Sequence, residues 1–379
     1  MEEQKKIQEE KKKRKGKRYF FNRIAMFCNH LAVIALLVSY AAPHVSPEKF
    51  WLIAFFGILY PIFLIINFLF VIYWALQIKK RALYSFLVII VGFSSLHSYI
   101  QLTFNHTPNG SKKLITVMSY NVKVFDLYNW SSNDQTRNNM FELINIESPG
   151  IACFQEYYHR DSSKHANTDS LLKYVNFKYY HIEYTSNIEP KQHFGIATFS
   201  NYPILHKGKV DFGYKSNNVC IYTDLLIAKD TVRVYNMHLQ SIAFSKDDYK
   251  YIDDLQNDVE TEDIEHSKSI LNRLKRAYIK RAKQAELIHA SIASSPYPVI
   301  VCGDFNDTPA SYAKNKIATD LEDAFVESGN GFGRSYIGKF PSFRIDYILH
   351  SKEFESYHFR TIKEEYSDHY PIVCYLEKE

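Results

Sequence analysis

The 379-residue sequence predicts an α/β fold of two packed sheets with helices outside, preceded by an apolar module that crosses a membrane three times. Three observations carry this expectation. Long uncharged segments occupy the first third of the chain. Short runs of β-branched and aromatic residues, separated by Asn, Pro, Gly and Lys turns, fill the remainder. Several of these runs end on a polar side chain, at Asn121, Glu156, His238 and Asp304, as strands do when they deliver groups to the rim of a sheet.

Charge divides the chain at the same place as hydropathy. Residues 1–111 hold 14 Lys/Arg against 5 Asp/Glu, and residues 112–379 hold 32 against 36, so the formal +5 separates into +9 and −4. A mildly acidic second part exerts no global pull on nucleic acid, because that pull comes from clustered Lys and Arg neutralising phosphates. The five cysteines, Cys28, Cys153, Cys220, Cys302 and Cys374, have no CxxC spacing and fall in apolar runs. They read as buried thiols, with neither a disulfide framework nor a zinc pattern.

Residues 1–23 form a basic tail, with ten basic and four acidic side chains, directly before an apolar segment. That placement predicts a cytoplasmic anchor. The segments Ile24–Ala42, Phe50–Leu76 and Ala82–Phe104 each contain about 20 residues or more, the length of a membrane-crossing helix. Three spans argue for permanent insertion rather than a cleaved leader. Pro61 is expected to kink the second. The loop Gln77–Arg81 carries Lys79, Lys80 and Arg81, whereas Pro43–Lys49 is balanced, so residues after the third span are expected outside the cytoplasm. His97 and Gln101, near the end of the third span, are expected to face neighbouring helices or the interface. Residues 105–113 are a short polar joint, about 30 Å fully extended, that keeps the outer domain near the bilayer; Asn105-His106-Thr107 fits a glycosylation sequon.

The outer domain, 114–379, begins with the strand-like run Leu114–Val122. A helix follows around Met140, Leu143 and Ile144, and then comes the run from Ile151 to Glu156. Phe177–Ile182, Gly195–Phe199, Val219–Ile227 and Val232–His238 continue as short strands, the last placing Asn236 and His238 on one face. Ser241–Glu265 is strongly acidic and reads as an inserted surface loop, with a lid or partner-binding insert as the sharper reading. Ser267–Ala293 has helical spacing and leads into Val299–Asp307. There a run of β-branched residues ends at Gly303 and delivers Asp304, Asn306 and Asp307, with Asp304 and Asn306 on one face if the extended geometry persists. Phe343–Leu349, Phe359–Ile362 and Ile372–Leu376 complete the strands.

The chemistry-bearing residues are Asn121, Glu156, His238, Asp304, Asn306, Asp346, Asp368 and His369. Carboxylates, amides and imidazoles without thiolates make a hard donor set suited to Mg²⁺ or Mn²⁺. Glycine-loop nucleotide binding, HExxH and GxSxG are absent, which leaves metal-assisted hydrolysis as the fitting reaction class.

The ordered motifs Ser119-Tyr120-Asn121-Val122, Phe154-Gln155-Glu156, Asn236-Met237-His238-Leu239, Gly303-Asp304-Phe305-Asn306, Arg344-Ile345-Asp346-Tyr347 and Ser367-Asp368-His369-Tyr370-Pro371 resemble the endonuclease/exonuclease/phosphatase superfamily. The resemblance covers essentially all of residues 112–379. It implies a four-layered α/β sandwich of two mixed sheets and hydrolysis of a phosphate ester by an in-line water. It also implies Glu156 as principal metal ligand, with Asn121 and Asp368 helping to hold one ion or two. His238 and Asn306 are implied on the phosphate oxygens, and His369 with Asp346 as a His–Asp dyad. Either Asp304 or His369 serves as base. In one respect the chain departs from the abasic-site endonucleases, which carry an acid two residues after the first motif's Asn. Lys123 stands there, so a simpler metal site is expected and DNA repair is disfavoured.

Two substrate readings and one non-catalytic reading follow. A membrane-anchored phosphoesterase acting on a lipid headgroup or another extracytoplasmic phosphate ester fits the spans, the short joint and the acidic domain. An extracytoplasmic nuclease is supported by the superfamily and by the basic stretch Arg273–Lys283, whose plainer reading is a solvated helix face. A non-catalytic membrane scaffold requires every intact motif to be a relic. No obligate protein partner is evident.

Overall fold

A computed structural model describes the chain apart from residues 1, 103–113, 189–190, 215, 243, 245–246, 249, 252–263, 339–342 and 379. The expected joint with its sequon, and most of the acidic stretch 241–265, lie outside the described residues.

Two six-stranded sheets form the outer domain. Numbered in chain order, the strands are β1 Ile115–Asn121, β2 Ile151–Arg160, β3 Tyr179–Ile188, β4 Gln192–Ser200, β5 Ile204–Lys209, β6 Val219–Ile227, β7 Asp230–His238, β8 Val299–Asp304, β9 Glu322–Asp323, β10 Asp346–His350, β11 Phe354–Thr361 and β12 Ile372–Lys378. One sheet runs β11-β12-β1-β2-β4-β3 and the other β9-β10-β8-β7-β6-β5. Each contains one central parallel pair, β1 with β2 and β7 with β8, among antiparallel neighbours, so both sheets are mixed.

Side-chain parity separates the layers. On β1, Ile115 and Val117 join the core between the sheets, while Met118 and Tyr120 pack outward beneath the helix Thr136–Glu147 with Met140, Phe141 and Ile144. On β8, Ile300 and Cys302 face between the sheets, while Val299 and Val301 meet Ala285, Ile288 and Ile292 of the helix Ile264–Ala293. The period of two thus yields helix, sheet, sheet, helix, four layers in all. The strand β5, Ile-Leu-His-Lys-Gly-Lys, escapes sequence reading because it is a polar edge. Four cysteines are buried as expected, but Cys28 is exposed on the outer surface of the N-terminal helix.

The N-terminal module differs from three regular spans. Lys15–His44 is one 30-residue helix long and apolar enough to cross a membrane. The second segment is broken into Leu52–Ile58 and Tyr60–Ala75 at an angle of 63°, because Pro61 in the first turn of the later helix can neither donate an N–H nor continue the earlier one. The third helix begins at Ala82 and stops at Val91, 10 residues in all. There Gly92 lies so close to Tyr40 that an added Cβ would fall 2.0 Å from its ring. A short helix Phe93–His97 follows, and Gln101–Leu102 then pairs with Asn330–Gly331 of the outer domain. Gln101 hydrogen-bonds back to His97. Apolar composition therefore misjudged continuity, which backbone breaks decide. A buried polar network holds the helices together: Asn29 donates to Ser85 at 2.6 Å, Ser85 to Asn67 at 2.9 Å, and Trp74 to Asn29 at 2.9 Å.

The module packs directly on the outer domain. Asn315 donates to Pro43 O at 3.0 Å, Arg344 to Ser98 O at 2.8 Å, and Phe55 packs edge-on against Tyr278. Arg18, Asn22 and Gln77 interact at the opposite, basic end of the module.

Candidate functional site

Parity and strand ends build the site. Along β7 and β8 the even-numbered residues face between the sheets, so His238 and Asp304 are the last inter-sheet positions of two hydrogen-bonded strands, paired in register. Asp346, the first residue of β10, pairs with Asp304 from the other side. On β1 the odd-numbered Asn121 takes the equivalent place in the opposite sheet, where its Nδ2 donates to Asp304 Oδ2 at 3.0 Å.

Glu156 reaches this point through a bulge. The β2–β4 register shifts between Phe154 and Tyr157, and Glu156 adopts a left-handed φ of 50°. Without that extra residue, strict alternation would send an even-numbered β2 side chain outward with Ala152 and Phe154. Instead its Oε1 lies 3.2 Å from Asn121 Nδ2 and 3.8 Å from His238 Nε2.

Asn306 is brought in differently from the expected shared strand face. The strand ends at Asp304, and Asn306 turns back with φ 52°, its amide donating to Leu239 O at 3.0 Å and to Asp304 Oδ2 at 3.3 Å. Gly303 permits the approach: at its φ of 151°, a Cβ would lie 2.2 Å from Met237 O.

Asp304 is the hub, 1% exposed, with His238 Nε2 at 3.6 Å and His369 Nε2 at 3.7 Å. His369 Nδ1 lies 2.9 Å from Asp346 Oδ2, which is the expected dyad. Asp346 is held by its N–H donating to Ser335 Oγ at 3.1 Å, while its Oδ1 is buried without a partner among the described residues. Burial pushes the Asp304 carboxyl above its ordinary range, against the pull of the imidazoles of His369 and His238. For His369, burial favours the neutral ring, but the carboxylates of Asp346, Asp304 and Asp368 outweigh it and raise the pKa to about 10.

Asp368 carries an ion pair, Lys123 Nζ to Oδ2 at 2.9 Å. Lys123 is aimed by a left-handed turn, φ being positive at each residue from Lys123 to Asp126. Asn121 Oδ1 accepts the Lys123 N–H at 3.1 Å, so its amide turns the NH₂ toward Glu156 and Asp304.

Glu156, Asp304, Asn306, Asp368 and His369 line one cavity of about 220 Å³. Its carboxylates are Glu156, Asp304, Asp307 and Asp368, against Arg281, which is paired with Asp307, and His369, with Lys123 nearby; the carboxylate oxygens are hard donors, so the set fits a divalent ion such as Mg²⁺. Asp304, Asp346 and His369 offer ligand atoms within 4.8 Å of one another; His369 Nδ1 is committed to Asp346, which leaves its Nε2 facing Asp304 at 3.7 Å.

Sequence reading missed Arg281. It is buried within the basic stretch assigned to solvent, lines the cavity, and donates through Nε to Asp307 at 3.0 Å and through NH1 to Gln240 O at 2.9 Å. Its place on the helical face that includes Tyr278 and Ala285, both core residues, was the available signal. Also missed was the inter-sheet brace beneath the site, in which Gln155 Nε2 donates to Asn236 Oδ1 at 2.8 Å and Asn236 Nδ2 to Ala197 O at 2.9 Å.

Several solved structures share this architecture. An endonuclease/exonuclease/phosphatase family protein from Bacteroides thetaiotaomicron is 16% identical with TM-score 0.52, the match covering 71% of this chain and 96% of that one. The mannosyl-6-phosphatase Bt3783 of Bacteroides thetaiotaomicron is 15% identical, TM-score 0.50, covering 69% and 99%. A protein from Beutenbergia cavernae described as endonuclease/exonuclease/phosphatase is 16% identical, TM-score 0.50, covering 70% and 72%. At these identities the likeness is one of fold. No curated protein matches. Residues 22–99 match a domain of unknown function, and residues 118–369 match the model described as endonuclease/exonuclease/phosphatase family. The chain belongs to the endonuclease/exonuclease/phosphatase family.

Proposed function

We propose that this protein is a membrane-anchored, Mg²⁺- or Mn²⁺-dependent phosphoesterase that hydrolyses a phosphate ester, of a lipid headgroup, by in-line attack of water on the extracytoplasmic side. Members of the family are generally phosphoesterases and commonly use divalent metals. The observation that carries the reading is the convergence of Asp304 with His238, His369, Asn121 and Asn306 at the end of both sheets.

In this reading Glu156 and Asp368 would hold the ion; Asn121, expected beside them as a ligand, instead turns its NH₂ to Glu156 and Asp304 because its Oδ1 accepts the Lys123 N–H, and so orients those carboxylates. When bound, the ion supplies positive charge to the phosphoryl group as negative charge develops there. Asp304 accepts the proton of the attacking water, a role favoured by a carboxyl that burial has raised toward working pH. His369, cationic at neutral pH, and the Nε2 side of His238 meet the phosphoryl oxygens, while Asn306, whose amide donates to Leu239 O and Asp304, positions the Asp304 carboxylate. Asp346 fixes the orientation of His369.

Membrane anchoring is supported by the 30-residue apolar helix and by the module's polarity. The outer domain sits against Pro43 and Ser98, while Arg18 and the Gln77–Arg81 loop lie at the other end, which the positive-inside rule assigns to the cytoplasm. The basic stretch that favoured nucleic acid is largely engaged within the protein: Arg273 with Asp248, Lys275 over Trp51, Arg281 with Asp307 and Lys283 near Glu48. The test is the full chain in nanodiscs with Mg²⁺, offered phospholipid vesicles or plasmid DNA, beside Glu156→Gln. Lipid phosphate release that the variant loses is expected. Equal rates in both proteins would remove the enzyme, and DNA cleavage without lipid turnover would move the substrate class. A reporter fused at Glu379 is expected to be active only outside the cytoplasm.

A further inference from the structure

The cavity has a mixed lining. Its polar part includes Glu156, Asp304, Asp368 and His369 together with the paired Arg281 and Asp307, and its apolar part is Ile58, Ile242, Phe244, Phe343 and Ile345. Ile58 alone among these comes from the N-terminal module, where it ends the helix Leu52–Ile58 at the 63° bend.

That position is fixed by close packing. Gly57 lies against the outer domain so tightly that an added Cβ would be 2.5 Å from Ala310 O and 2.8 Å from Ala42 Cβ. Ala310 N donates to Tyr99 Oη at 3.4 Å, so the module grips the loop that follows Asp304 and Asn306 from two sides. Beyond Ile58, the module's surface stays apolar and open: Leu59 is 39% exposed, Ile62 53% and Ile65 58%. Ile58 in the cavity lining and the exposed Leu59 are consecutive, so the lining adjoins the module's apolar surface, which faces lipid if the module is inserted.

We infer that Ile58 is a specificity-determining residue: the bend of the N-terminal module completes the active site and receives the alkyl portion of a membrane lipid phosphoester whose phosphate lies on the polar wall. This rests on the phosphoesterase reading for the polar wall alone. A cavity of about 220 Å³ holds a phosphate and its immediate substituents, so the remainder of an amphiphile must leave along the apolar side. A free sugar phosphate or a polynucleotide gains nothing from that wall, because its substituents stay polar.

The test compares binding of hexyl phosphate and ethyl phosphate to the full chain in nanodiscs, each corrected for partition into protein-free discs. The wild type is expected to bind hexyl phosphate at least roughly ten-fold more tightly, less than full burial of the extra methylenes would give. In Ile58→Asn, and separately in Ile242→Asn on the outer-domain side of the wall, the preference is expected to fall to within about three-fold of unity. Ethyl phosphate serves as the internal reference in each protein, and the two variants guard against misfolding of either. No chain-length preference in the wild type, an unchanged preference in folded Ile58→Asn, or binding of neither phosphate overturns the inference. A preference that depends on Ile58 in a chain without Mg²⁺-dependent turnover would instead overturn the catalytic reading and leave the wall standing.

Discussion

Asp304 and His369 face each other across 3.7 Å, Oδ2 to Nε2, in a setting closed to solvent on nearly all sides. One is a carboxyl that burial drives toward protonation, and the other an imidazole whose carboxylate neighbours overcome burial to keep it charged. Their proton affinities lie on the sides suited to a base and a cation, and the two roles are separable by substitution.

Asp304→Asn removes the carboxylate and keeps the shape. Turnover is expected to fall by about 10²–10⁴-fold with little change in apparent substrate affinity. Steady-state kinetics alongside circular dichroism checks this; a fall of less than ten-fold in a folded variant would return the base to His369.

His369 provides a pH signature in the metal-free protein. Its folded pKa, raised to about 10 from 6.5, means that the native state retains a proton the unfolded chain releases near neutrality. The stability it contributes is complete below about pH 6.5 and disappears as pH rises toward 10. NMR titration of the His369 ring should show it still protonated at pH 8, and Asp346→Asn should move its titration downward.

Lys123 competes with a cation for Asp368. Lys123→Met is expected to lower the Mg²⁺ concentration giving half-maximal activity by roughly two- to five-fold, as loss of a partly exposed ion pair allows. An increased requirement would mean that the ammonium meets the substrate instead.

Gln155 braces the two sheets beneath the site without lining the cavity. Gln155→Leu leaves Asn236 Oδ1 buried without its donor and is expected to destabilise the protein by about 1–3 kcal/mol. Chemical denaturation of the full chain against the wild type measures it, and a neutral result would show that the pocket repacks.

Metal removal gives the remaining check. EDTA is expected to abolish turnover and added Mg²⁺ to restore it, whereas Ca²⁺, with its longer and looser coordination, is expected to support it poorly. Activity that survives complete chelation would exclude an essential ion.

The sequence by itself determined most strands, the long helix Ile264–Ala293 and the residues that meet at the sheet ends, because burial of alternating faces writes a period of two into each run. It also determined the Lys123 departure and the division of charge. Tertiary structure decided what local pattern cannot express. The bulge that turns Glu156 inward depends on the neighbouring strand β4, and Arg281 becomes buried only when Asp307 and Gln240 surround it. Likewise the module's breaks at Leu59 and Gly92 arise from Pro61 and from contact with Tyr40, so hydropathy registered three apolar segments where the backbone forms one long helix, a bent pair and a short helix. That Ile58 stands in the wall of the cavity follows from Gly57 closing on Ala310, a contact between residues 253 positions apart that no periodicity in the chain announces.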